Sequence, residues 1–104
     1  MEWYNKLYVS EGASKRKRSI KRNIRMNRFQ PGVYVITLPM NPENILDIFP
    51  AAVLKQNYYK KADMLAVGLA TTIDEAKSLA VDILMDCYNN TGHFNIANFI
   101  KDRK

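Results

Sequence analysis

The sequence is poor in the residues that build reactive centres. It contains one cysteine, Cys87, and one histidine, His93, among 104 residues. A single cysteine excludes an intramolecular disulfide, and its position on the apolar side of a predicted helix indicates a buried, unreactive thiol. Neither residue occurs in a zinc-ligand spacing. We therefore expect no metal, no cofactor and no enzyme built from this chain alone.

Glycine, proline and long apolar runs are also scarce. Four glycines and four prolines leave no room for a low-complexity linker, and Gly68 is not followed by the glycines of a phosphate-binding loop. No apolar run approaches the roughly 18 residues of a membrane span, and the N-terminus lacks the pattern of a signal peptide. We expect one cytoplasmic globular domain over residues 1–104, with about 65% of its unfolded surface buried and no membrane association.

Acidic residues are absent from one segment. Residues 15–28 contain eight lysines and arginines with no acid, a charge of +8, whereas the rest of the chain has eight bases and ten acids, a charge of −2, so the net basic charge of +6 arises from this segment. Such a cluster is typical of polyanion binding, and Lys60 and Lys61 follow two tyrosines able to stack on bases. The candidate polyanion-binding residues are Lys15, Arg16, Arg18, Lys21, Arg22, Arg25, Arg28, Lys60 and Lys61.

Hydrophobic periodicity predicts a small α/β or α+β domain. Aromatic and β-branched content predicts a three-stranded sheet, with strands near 3–9, 33–38 and 63–70. Apolar spacing and capping residues predict helices near 13–28, 42–57, 73–90 and 95–101. Because a long helical connection separates the second strand from the third, we expect a right-handed parallel crossover between them.

The segment 63–90 is the clearest unit. An uncharged apolar strand is followed by Thr72 and Glu75 in a capping box, in which the threonine hydroxyl accepts from the Glu75 amide and the carboxylate reaches back. The turn near 70–75 lies where ligands bind in open α/β sheets, but its own acids explain it better as a helix cap. Asp82 and Asp86 share a helix face, which is more typical of a solvated surface than of paired catalytic carboxylates.

Three functional classes remain open from the sequence alone. The first, which the sequence favours, is a non-catalytic protein-interaction or oligomeric domain, in which sheet edges pair with a second copy or apolar residues such as Phe94 and Phe99 contact a partner. The second is nucleic-acid or other polyanion binding through the basic helix 15–28. The third is a small enzyme or ligand-binding protein with a site at the turn near 70–75. No run of residues in the sequence matches a family of established activity, so no function is carried over from one.

Overall fold

The computed structural model describes residues 1–28, 30–39, 43–55 and 63–102. Within these residues, a sheet of four strands in the order β1-β4-β2-β3 is covered by helices. β1 is parallel to β4, and β2 is antiparallel to both β4 and β3. The elements are β1 (Glu2–Val9), α1 (Glu11–Ser14), α2 (Lys17–Arg25), β2 (Tyr34–Thr37), β3 (Asp47–Pro50), a 3-10 helix (Ala51–Lys55), β4 (Leu65–Ala70), α3 (Ile73–Thr91) and α4 (Ile96–Asp102).

The predicted α/β class is confirmed, as are the three predicted strands, which correspond to β1, β2 and β4. The predicted helices 73–90 and 95–101 correspond to α3 and α4. The predicted helix 13–28 is two helices, since α1 ends at Ser14 and α2 begins at Lys17. α2 ends before Asn27, whose φ of 56° is left-handed.

The prediction of a helix near 42–57 is wrong for residues 47–50, which form the fourth strand. Leu46 and Ile48 pack into one core cluster while Phe49 packs against the other, so the side chains alternate as in a strand. Pro50 ends this edge strand, where its missing amide costs no ladder hydrogen bond. The 3-10 helix that follows is the only part of the predicted helix with helical backbone among residues 43–55. Residues 42, 56 and 57 lie outside the described residues.

The predicted parallel crossover is also wrong. β2 first pairs antiparallel with β3, joining Tyr34 to Pro50 and Thr37 to Asp47. The chain then returns to β4 on the other side of β2, again antiparallel, with Tyr34 opposite Ala70. The parallel pair is instead formed by β1 and β4, at opposite ends of the chain order. The sequence did not predict β3, which forms a hairpin with β2. Because of this additional strand, the chain enters β4 antiparallel to β2 instead of parallel to it.

Two hydrophobic cores lie on the two faces of the sheet. One contains Ala13, Ile20 and Ile24 of α1 and α2 with residues of the 3-10 helix, packed on Trp3, Leu7 and Val9 of β1 and on Val35 and Ala66. The other contains Ile83 and Cys87 of α3 with Ile96, Phe99 and Ile100 of α4, packed on Tyr4, Ile36 and Val67. The alternation along β1 sends odd-numbered residues to the α2 side and even-numbered residues to the α3 side. The fold is thus a three-layer sandwich.

The capping of α3 agrees in part with the capping box predicted from the sequence. Thr72 Oγ accepts from Glu75 N at 3.0 Å, as predicted, and Gly92 ends the helix with a φ of 77° and an amide that donates to Tyr88 O at 2.7 Å. The Glu75 carboxylate, however, accepts from the amide of Thr71 rather than from that of the cap residue. This difference connects the carboxylate to the end of β4.

Candidate functional site

Four cations of α2 lie on one side of the helix. Arg18, Lys21, Arg22 and Arg25 follow the i, i+3, i+4 and i+7 spacing that brings side chains onto one helical face. The apolar stripe of Ile20 and Ile24 is buried against the sheet, which fixes the rotation of the helix. Burial of this stripe therefore turns the four cations towards a common surface.

These cations line a cleft of about 560 Å³ together with the first residues of β1. Met1, Trp3 and Ile24 supply its apolar wall. The Lys21 ammonium lies over the indole of Trp3, with its Nζ 5.1 Å from the ring centroid. A cation above an aromatic face gains about 0.5–2 kcal/mol, depending on its exposure. We call this arrangement the α2 cleft.

The α2 cleft has charge of one sign. Among the described residues that line the cleft, none is a carboxylate. Burial and, to a smaller degree, repulsion from Lys17 lower the pKa of the Lys21 ammonium. An anion bound in the cleft would relieve this repulsion, because it would supply the missing opposite charge.

The structure brings together some of the predicted polyanion-binding residues and separates others. Arg18, Lys21, Arg22 and Arg25 line the α2 cleft. Lys15 and Arg16 are exposed between α1 and α2 and do not line it. Arg28 donates to Asn23 Oδ1 at 3.4 Å, away from the cleft. Lys60, Lys61 and the tyrosines before them lie outside the described residues.

Trp3 was not among the predicted site residues. Its only sequence signal is the alternation of β1, which puts it on the same side as Leu7 and Val9 and hence under whichever helix covers that side. Which helix this is depends on the path of the chain, so sequence periodicity alone does not connect Trp3 with Lys21. The aromatic part of the site is therefore a tertiary feature.

The turn near 70–75 is occupied by the protein itself. The Glu75 carboxylate accepts hydrogen bonds from Thr71 N at 3.2 Å and from Thr71 Oγ at 2.8 Å. The Glu75 amide donates to Thr72 Oγ. The place that an anionic ligand would take at this helix start is filled by a carboxylate. We propose no ligand site there.

The remaining candidates for chemistry have structural partners. Asp86 accepts from Tyr8 OH at 2.6 Å, which joins α3 to β1, whereas Asp82 is exposed. The buried thiol of Cys87 donates to His93 O at 3.3 Å, and Nδ1 of the exposed His93 accepts from Asn95 N. In the described ranges, no group of three His, Cys, Asp or Glu residues is placed to hold a metal ion.

A second cleft of about 720 Å³ lies near the starts of β1, β4 and α4. Its lining includes the carboxylates of Glu2, Glu43 and Asp63 and the ammonium of Lys101. The charges are mixed, and the lining indicates no single class of ligand.

The outer face of α3 carries a second, exposed apolar stripe. Val81, Met85 and Tyr88 are 46–55% exposed and lie at i, i+4 and i+7, opposite the buried Ile83 and Cys87. Phe94 is 52% exposed and stacks on Tyr88, with ring centroids 5.0 Å apart and an interplanar angle of 17°. Phe99, predicted as part of the same surface, is instead buried at 3% exposure.

Comparisons with known proteins add no function. Family models, curated proteins and solved structures were each searched with this chain, and none of them matches it. Over the described part of the chain, no helix is both long and apolar enough to cross a membrane.

Proposed function

We propose that this domain is a polyanion-binding module whose ligand class is nucleic acid, bound at the α2 cleft. The observation that carries the proposal is the set of four cations that line one cleft without a carboxylate among its described lining residues. Concentrating like charges costs free energy, and a bound polyanion offsets that cost. A merely solvated basic face would not require an aromatic wall.

The dimensions of α2 suit a short stretch of phosphate backbone. Arg18 and Arg25 are seven residues apart, which corresponds to about 10 Å along a helix axis. Guanidinium groups at this spacing bind phosphate oxygens through paired N–H donors. Three or four phosphate contacts imply a slope of log affinity against log salt of about −2 to −4.

The positions of the reactive residues support binding rather than catalysis. His93 faces solvent, and the Cys87 thiol is enclosed in the core. A general base must lie within hydrogen-bonding reach of the group that it deprotonates, and neither residue lines the α2 cleft. The compartment we propose is the cytoplasm, where a buried free thiol stays reduced.

Charge reversal at the α2 cleft tests the proposal. We expect the triple variant Arg18→Glu, Arg22→Glu and Arg25→Glu to lose binding to a fluorescent oligonucleotide in anisotropy titrations. All three residues are exposed, so the thermal unfolding transition should remain cooperative. For the unmodified protein, affinity should fall roughly 15- to 250-fold between about 50 and 200 mM salt.

The matched control reverses three exposed cations elsewhere. Lys6→Glu, Lys77→Glu and Lys101→Glu change the net charge by the same amount but leave the α2 cleft intact. We expect this variant to bind within a few-fold of the unmodified protein. Equal loss in both triple variants would mean that net charge alone attracts the oligonucleotide, and no binding by the unmodified protein at low salt would refute the function.

Self-association through the outer face of α3 is a second candidate, favoured by the exposed stripe of Val81, Met85 and Tyr88. In an antiparallel pair of α3 helices, Val81 would pack on Met85 of a second copy. Lys77 would then lie beside the last turn of the second α3, which has no basic residue of its own and carries the negative end of the helix dipole. Sedimentation velocity measures this association.

The sheet edge is a less suitable surface for a second copy. Among the described residues, β1 pairs only with β4, and its register is irregular between Trp3 and Tyr8. The exposed Lys6 lies within the same stretch. Irregular register and an edge lysine both oppose pairing with another strand. We therefore assign self-association to α3 rather than to strand pairing at the β1 edge of the sheet.

A further inference from the structure

The α2 cleft combines phosphate-binding cations with an aromatic ring, which is the feature that distinguishes it from a plain basic surface. Trp3 lines the cleft together with Arg18, Arg22 and Arg25. The indole is half-buried, and the Lys21 ammonium lies 5.1 Å from its centroid. The ring therefore presents a face towards the cleft, and the Lys21 side chain lies over that face.

We infer that the ligand is a single-stranded nucleic acid, with one base stacked on Trp3. This inference rests on the proposed function and deepens it. A base that takes the ring face displaces Lys21, whose long side chain then reaches a phosphate beside Arg18 or Arg22. The exchange replaces a cation–aromatic contact by a base–aromatic contact and a new ion pair, so the ammonium keeps a favourable partner.

A duplex does not fit the same site equally well. Its base faces are covered by neighbouring base pairs, so only its grooves and phosphates reach a protein side chain. The indole of Trp3 lies in a cleft beside α2 rather than at the tip of a projecting element. The unpaired bases of a single strand, in contrast, have free faces that stack on aromatic side chains with little dependence on sequence.

The size of the α2 cleft matches a small unit of a strand. Its volume of about 560 Å³ lies within the range of about 300–1,000 Å³ that is usual for ligand sites. Four cations around one ring provide contacts for the phosphates on either side of a single stacked base. The site therefore reads the shape of a strand rather than the identity of its bases.

The test compares two oligonucleotides of equal charge, oligothymidylate and an abasic strand of the same length, about 15 nucleotides each. Trp3 is the only tryptophan, so intrinsic fluorescence reports directly on the site. We expect oligothymidylate to quench this fluorescence and to bind roughly 5- to 100-fold more tightly than the abasic strand, which is the range that stacking supports. The abasic strand should bind through its phosphates alone.

A Trp3→Leu variant should lose the preference of the unmodified protein for oligothymidylate and bind the two strands with similar affinity. Trp3 also packs on the core beside α2, so the variant is first checked by thermal unfolding. If it does not fold, the two oligonucleotides are compared on the unmodified protein alone, and that comparison decides the question.

The outcomes separate the inference from the proposed function. Equal affinity of the unmodified protein for the two strands would overturn base stacking while leaving polyanion binding intact. Tighter binding of a duplex of the same length would overturn the single-strand assignment. Binding of neither strand at about 50 mM salt would remove the proposed function itself.

Discussion

The Glu75 carboxylate connects the start of α3 to the end of β1. Its Oε1 accepts from Ser10 Oγ at 3.2 Å and from Thr71 Oγ at 2.8 Å. The backbone of Gly12 also contributes a hydrogen bond to it. A Cβ at Gly12 would overlap Thr71 Oγ, so glycine is needed there for close approach. Helices from the two layers therefore meet at one carboxylate.

These contacts make stability depend on the charge of Glu75. Hydrogen bonds from Thr71 lower the pKa of the carboxyl below its ordinary value of 4.5. A lowered folded-state pKa stabilises the protein fully above the unfolded-state pKa, and this contribution is lost as the pH falls through the folded-state pKa. We expect the urea midpoints of the unmodified protein to exceed those of Glu75→Gln at about pH 7, and this difference to shrink as the pH falls below 4.5 and through the folded-state pKa.

Glu11→Gln is the matched control for this prediction. Glu11 is a nearby exposed carboxylate that accepts none of the hydrogen bonds described for Glu75. Its substitution should leave the difference between neutral and acidic pH almost unchanged. A gap between the unmodified protein and Glu75→Gln that stays constant down to about pH 3 would mean that side-chain shape, not charge, stabilises the junction.

Contacts between residues close in the sequence could be predicted from it, whereas contacts between distant residues could not. Thr72 as the cap of α3 follows from its position three residues before Glu75. The bond from Ser10 to Glu75 joins residues 65 apart, and no local pattern contains that information. The same is true of Lys21 above Trp3, which depends on α2 covering the odd-numbered side of β1.

α3 provides a test of the helix assignment through two adjacent residues. Ile83 is fully buried against the sheet, whereas Asp82 is exposed. Ile83→Ala should reduce the free energy of unfolding by about 2–5 kcal/mol, because it leaves a cavity in a packed core. Asp82→Ala should change it by no more than about 0.5 kcal/mol. Denaturant titrations measure both values, and equal destabilisation would contradict the rotation of α3.

The element that sequence reasoning missed, β3, has only four residues. The spacing of Ile45, Leu46, Ile48 and Phe49 fits an amphipathic helix, and a short strand ending in proline gives little opposing signal. Antiparallel pairing with β2 decides the outcome, because tertiary contacts override weak local preference. Long elements such as α3 carry enough periods to be recognised without such contacts.

At the scale of the whole molecule, the two candidate surfaces lie on opposite faces of the sheet. The α2 cleft belongs to the layer packed on Trp3 and Ala66, and the exposed stripe of α3 belongs to the layer packed on Tyr4 and Val67. A second copy bound at the exposed stripe of α3 would leave the α2 cleft of each copy open. Nucleic-acid binding and self-association can therefore be separated by substitutions on one face at a time.

Self-association predicts that the unmodified protein sediments with a concentration-dependent mass and that Val81→Glu with Met85→Glu remains monomeric. Both residues are about half exposed in the monomer, so the variant should fold. Burying carboxylates without partners at the contact costs several kcal/mol, which corresponds to weakening of roughly 100-fold or more. The control Asn5→Glu with Asn98→Glu adds equal charge at exposed positions outside α3 and should associate normally. A monomeric mass for the unmodified protein up to about 100 μM would rule out a stable dimer at this surface.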